Sequence, residues 1–179
     1  MELIGTVVRL QVQRSRLKPG APGERGYDPA PLQEVAALEV TPRGVTGDGV
    51  LDVHHADHPD TRNVRLRNGL SVMTRPRYDA LRARFGMHLT DGIAGESLLL
   101  DDGQDVLGDV LLETDEGVLE LTAEPAPPCV EFARFCLRAS GTGPDVLAAL
   151  AELQDGARGF YLATSGTGRV TAGARVFRA

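Results

Sequence analysis

Five consecutive residues, Pro127-Pro128-Cys129-Val130-Glu131, hold the clearest chemical potential in the chain. Two prolines restrict the approach, and Cys129 falls where a helix is expected to begin. Unpaired amide donors and the helix dipole at such a position favour a thiolate. A thiolate can act as a nucleophile, a sulfur carrier or a soft metal ligand. The alternative is a buried structural cysteine. Cys136, seven residues on, lies about two turns along the same face and reads as core. That separation exceeds the Cα distance a disulfide spans, so no Cys129–Cys136 bridge is expected.

A second polar cluster runs from Gly47-Asp48 to His54-His55-Ala56-Asp57-His58. Imidazoles and carboxylates at this spacing can ligate zinc. The run partly resembles the H-x-H-x-D-H motif of metallo-β-lactamase-like hydrolases. Val53 stands at the first histidine position, however, and His88 is the only other histidine. The alternative is a solvated, turn-rich loop. Glu96, in Gly92-Ile93-Ala94-Gly95-Glu96-Ser97-Leu98, places a carboxylate between a tight turn and a strand. Arg14, Arg16 and Lys18 cluster after the first strand, and Arg62, Arg65 and Arg67 follow the histidines. Guanidinium groups suit phosphate or another planar anion. If the second group lies on a strand, only a subset can point inward. No G-x-G-x-x-G, P-loop, G-x-S-x-G or H-E-x-x-H occurs, which removes support for dinucleotide enzymes, P-loop hydrolases and serine hydrolases.

The elements that must position these residues are short. The chain has 179 residues, 21 Gly and 11 Pro, so turns are frequent. Aromatic residues are 4% and Trp is absent, which leaves an aliphatic core. Strands are expected at Glu2–Val12 (bent at Gly5), Val35–Val40, Leu70–Met73, Ser97–Leu100, Val106–Glu113, Val118–Ala123, Gly159–Thr164 and Val170–Phe177. Arg14–Pro31 and Val45–Arg62 read as long loops. Helices are expected near 75–85, with Thr74 as N-cap and Gly86 as terminator, near 130–138, and from Pro144 to about 154. Strands without regular β-α alternation point to a mostly β, barrel-like domain over 1–179 with about three peripheral helices. Net charge is −6, which disfavours nucleic acid and anionic membranes as partners. No apolar run reaches the roughly 18 residues of a span, and no secretory signal is visible. Two cysteines make no disulfide scaffold, so a cytoplasmic location is expected.

In order, the pieces resemble the MOSC family, the domain found at the C-terminus of molybdenum cofactor sulfurases. The resemblance rests on Gly5-Thr6-Val7, Gly47-Asp48 with His54/His55, Gly95-Glu96-Ser97-Leu98, Pro128-Cys129, Arg158-Gly159 and Gly173-Ala174, and spans nearly the whole chain. Ser97 replaces the Asn of G-E-N-L, and Ala174 replaces the Asp of the final G-D. The resemblance implies a β-barrel-like fold and binding of molybdenum cofactor, an anionic pterin dithiolene with a phosphate. It implies Cys129 as catalytic sulfur carrier or molybdenum ligand. Arg16, Lys18, Arg158 and the arginine after the histidine loop, which could be Arg62 or Arg67, would hold the anion; Asp48, Glu96 and His54 or His55 would shape the pocket. The implied activity is reduction of N-oxygenated substrates or sulfur transfer to the cofactor, with a separate sulfur donor or electron-transfer protein as partner. A non-catalytic cofactor-binding module and a zinc-type hydrolase are the alternatives. An internal aldimine needs a lysine amine, and Lys18 is the only lysine, in a Pro/Gly-rich loop; no pyridoxal phosphate chemistry is expected of this chain.

Overall fold

The structure is a computed structural model that describes residues 1–21, 23–63, 65–103, 105–139 and 145–179. In chain order these form β1 (Glu2–Gln13), β2 (Leu32–Glu34), β3 (Ala37–Thr41), β4 (Gly44–Gly47), β5 (Val50–Leu51), β6 (Leu70–Thr74), α1 (Arg75–Phe85), β7 (Leu98–Leu100), β8 (Gly108–Thr114), β9 (Gly117–Pro125), α2 (Val130–Leu137), α3 (Val146–Glu152), β10 (Phe160–Ala163), β11 (Gly168–Thr171) and β12 (Arg175–Arg178). The order β1-β12-β8-β9-β10-β6-β7 returns to β1 and closes a seven-stranded barrel. Its pairings are antiparallel except β6–β7, which are parallel and joined through α1. The expected mostly β barrel with three helices is what the chain forms. Closure leaves the barrel without a free edge.

β1 serves three partners in succession, β12, β7 and β2, because it bends. Its register shifts between Leu3 and Gly5 against β12, and again between Val7 and Arg9 against β7. Gly5 is required at the first bend, since a Cβ there would lie 2.9 Å from the Asp102 carbonyl oxygen. β7 reads Leu98-Leu99-Leu100 without alternation because both its faces are covered. Leu98 and Leu100 enter the barrel core with Val7, Leu10, Val72, Leu112 and Phe160. Leu99 and Met73 turn outward into a second core with Tyr78, Phe85, Phe132 and Cys136 from the helices. Thr74 caps α1 by accepting the Arg77 N–H at 3.4 Å, and Gly86 follows its last residue, both as expected.

Two expectations are corrected. Residues 44–51 are not part of a long loop: β4 and β5 form a hairpin whose turn is Asp48-Gly49, with φ of 49° and 80°. Positive φ at both central residues is the type I′ geometry that an Asp-Gly pair adopts readily. The terminal strand divides at Gly173, φ 94°, into β11 of a second sheet (β11-β3-β4-β5) and β12 of the barrel. The expected helix start at Pro144 lies outside the described residues, and α3 runs from Val146 with Asp145 as N-cap.

Candidate functional site

A cavity of about 210 Å³ opens where the chain leaves β1 and meets the 52–63 loop, the 94–96 turn and the barrel strands β6 and β10. Ser71, Val72, Phe160 and Tyr161 supply its barrel side. Arg16, Lys18, Arg62 and Arg158 bring four cations to it, and none forms an ion pair among the described residues. Elsewhere Arg9, Arg43, Arg75, Arg82, Arg84, Arg169, Arg175 and Arg178 all meet carboxylates. Arg16 instead donates to the Asp60 carbonyl oxygen through Nε and Nη2, at 3.2 and 3.0 Å. Arg158 donates Nη1 to the Pro127 carbonyl at 2.6 Å and stands 5.7 Å from the Phe132 ring, with a buried Nε that has no partner.

Cys129 is the N-cap of α2, as the two prolines led us to expect. Its sulfur accepts the Phe132 N–H at 3.4 Å and a hydrogen bond from Lys18 Nζ at 3.5 Å, and its thiol donates to Glu131 Oε2 at 3.2 Å. Cys129 does not itself line the cavity; Lys18 lines it and is bonded to the sulfur. Cys136 is fully buried, and burial pushes its thiol up to about 12. Both cysteines are free.

Glu96 is buried in the cavity wall. It accepts the Tyr78 hydroxyl at 2.8 Å through Oε2 and the Gly92 N–H at 3.1 Å through Oε1. Burial raises its pKa to about 7, opposed by its own backbone N–H, the Tyr78 and Gly92 donors and the Arg9 charge. The Tyr78 hydroxyl also accepts the Ala94 N–H at 2.9 Å, so one phenol ties the turn to the carboxyl.

The three loop histidines separate. His54 lines the cavity, and its Nδ1 lies 3.1 Å from Oδ1 of the buried Asp52. His55 is buried under Gly44 and accepts the Asp57 N–H at Nδ1, 3.2 Å away. His58 accepts the Asp60 N–H at 3.0 Å. Among the described residues no group of three or more His, Cys, Asp or Glu converges as a metal cluster, so the zinc alternative has no geometric support there.

Of the residues expected to bind or shape a ligand pocket, Arg16, Lys18, His54, Arg62, Glu96 and Arg158 come together. Asp48, His55 and Arg67 do not line the cavity. Asp48 is consumed by its turn, where its carboxylate accepts the Ala36 N–H at 3.4 Å. Arg67 gives its backbone N–H to Asn63 Oδ1 at 3.0 Å. Sequence reasoning missed Asp52, Gln13, Tyr27 and Tyr161. Asp52-x-His54 was readable as a carboxylate positioned to orient an imidazole; the other three carried no local signal.

No protein-family model matches the chain, and no curated protein sequence does. Among solved structures, it is similar to the YuaD protein from Bacillus subtilis at TM-score 0.66 and 14% identity, over 96% of this chain and 93% of that one. A hypothetical protein aligns at TM-score 0.59 and 15% identity, over 97% and 68%. YiiM from Escherichia coli aligns at 0.56 and 17%, over 100% and 71%. At these identities the likeness is one of fold, and it extends over nearly the whole barrel and its helices.

Proposed function

We propose that this chain binds molybdenum cofactor in the cationic cavity, with Cys129 as the sulfur ligand or sulfur carrier. The observation that carries the reading is the convergence of four cations without carboxylate partners on one cavity, one of them hydrogen-bonded to Cys129. Unpaired guanidinium and ammonium groups are the donors a phosphate requires. The ordered motifs support the same reading, and the fold shared with YuaD and YiiM agrees with the barrel that the MOSC resemblance implies.

The donor set fits this group. Arg16, Arg62 and Arg158 would hold the anionic part, and the buried Arg158 Nε is a donor still to be satisfied. Cys129 would hold the metal as a thiolate, and Glu131 Oε2, already accepting from its thiol at 3.2 Å, would receive the proton released. Lys18 would move its hydrogen bond from sulfur to the ligand. When bound, the cofactor supplies the two-electron chemistry that reduction of an N-oxygenated substrate requires, or accepts sulfur in the transfer alternative. Electrons or sulfur would come from a separate protein.

Expression in a molybdenum-competent host, followed by metal analysis and pterin fluorescence, tests the reading. The wild type is expected to retain both molybdenum and pterin, and Cys129→Ser to lose molybdenum with the fold intact. Zinc in place of molybdenum would overturn the reading in favour of a hydrolase. Bound cofactor without turnover on N-hydroxylated bases or sulfur loading would identify a binding module.

A further inference from the structure

Asp52 and His54 form a pair that the cation cluster alone does not explain. Asp52 is 2% exposed. Its Oδ2 accepts the Gln13 N–H at 2.7 Å, and its Oδ1 accepts the His54 backbone N–H at 2.8 Å while lying 3.1 Å from the His54 Nδ1. The carboxylate is therefore held from two sides before it meets the imidazole. The His54 carbonyl is tied in turn by Asn63 Nδ2 at 2.9 Å. A carboxylate at Nδ1 selects the tautomer with its proton there. Nε2, on the other edge of the ring, makes no hydrogen bond among the described residues, and the side chain is 29% exposed in the cavity wall.

We infer that His54, oriented by Asp52, is the proton-dependent donor of the anion site, and that Asp52 is its positioning residue. The inference rests on the cavity being an anion site. In the neutral ring Nε2 can only accept, which suits a ligand oxygen that bears a proton. After Nε2 takes up one proton from solvent, the imidazolium donates to an unprotonated oxyanion and adds a positive charge. Binding a fully ionised oxyanion therefore takes up a proton when the ring begins neutral. Imidazole changes charge between about pH 5 and 8. The charged groups around it are Asp52 on its own loop, Asp60 and Arg62 farther along that loop, Arg16 and Lys18 after β1, Glu96 in the turn and Arg158 before β10. Glu96 loses charge as pH falls and works in the same direction, so it must be separated experimentally.

Sulfate is the suitable probe, because it does not titrate in this range. Calorimetric titration of the wild type from about pH 5 to about pH 8 is expected to show about tenfold tighter binding at the acid end, as loss of one charge-assisted hydrogen bond implies. At intermediate pH the heat should depend on the buffer's ionisation enthalpy. His54→Gln should lose the proton uptake and most of the pH dependence, whereas Glu96→Gln should retain the uptake. Long-range ¹⁵N correlation spectra of the sulfate-free wild type should show the His54 proton on Nδ1, and Asp52→Asn should disturb that preference. Sulfate binding that requires Arg62 and Arg158 but keeps its pH dependence in His54→Gln would overturn this inference alone. An Nε2–H tautomer in the wild type would also overturn it. Binding indifferent to Arg16→Ala, Arg62→Ala and Arg158→Ala, or absent altogether, would overturn the anion site and this inference together.

Discussion

Cys129 and Cys136 share one helix, yet their surroundings give them opposite chemistry. Cys129 retains 9% exposure at the start of α2 and touches Lys18, Glu131 and the Phe132 amide; Cys136 has none and packs in the helical core. Burial also holds Cys136 in the thiol form, with its pKa near 12, and the thiolate is the species that alkylates. Iodoacetamide at neutral pH should therefore label Cys129 in the native protein and Cys136 only after unfolding. Peptide mass spectrometry reads this directly, and faster labelling of Cys136 would contradict the placement of the two sulfurs. Cys129 was legible in the sequence because a proline pair and a helix start are local features. Its bond to Lys18 was not, since the partners are 111 residues apart.

Elements position the site by what they exclude. Arg158 reaches the cavity because Gly159 lets the chain turn directly into β10: its φ is 95°, and a Cβ there would come within 2.5 Å of the Val72 carbonyl oxygen on β6. Gly159→Ala should destabilise the protein by at least about 1–3 kcal/mol from backbone strain alone. It should also weaken anion binding by displacing the Arg158 guanidinium. Chemical denaturation and sulfate titration measure the two effects; an unchanged midpoint would show that β6 and β10 are less closely apposed. The β4–β5 hairpin shows the same principle in reverse. Asp48-Gly49 carries the signature of a type I′ turn, and the turn, rather than a ligand, accounts for Asp48.

At the scale of the whole molecule, the barrel and the helical layer enclose a carboxyl that titrates near neutrality. Glu96 has a folded pKa of about 7 against an ordinary 4.5, with burial the leading cause. For an acid whose folded pKa is raised, the native state holds a proton that the unfolded chain releases. Stability from this group is thus full below about pH 4.5 and declines as pH rises through about 7. The change amounts to roughly 3 kcal/mol across that window. Thermal or urea unfolding at successive pH values should show the decline in the wild type and a flatter profile in Glu96→Gln. A parallel profile in the variant would assign the effect to other groups.

Local features were determined by the sequence alone: the Thr74 cap, the Gly5 bend, the N-terminal position of Cys129 on its helix and the dispersed strands of a β fold. The cap and the start of the Cys129 helix depend on residues within a few positions of one another, where steric limits and hydrogen-bonding options are nearly independent of the rest of the chain; the glycine that permits the Gly5 bend is local, but the reason no side chain fits there is the distant Asp102 carbonyl. Closure of β12 onto β1, the separation of β11 from β12 and the choice among arginines and histidines depended on contacts across the molecule. Arg62 and Arg67 carry the same side chain five residues apart, and His54 and His55 are adjacent. Only the path of the 52–63 loop across the barrel, pinned by Asp52 and Asn63, directs Arg62 and His54 into the cavity and leaves Arg67 and His55 outside it. Side-chain chemistry sets what a residue can do; the burial and charge that select among identical residues arise when distant segments pack together.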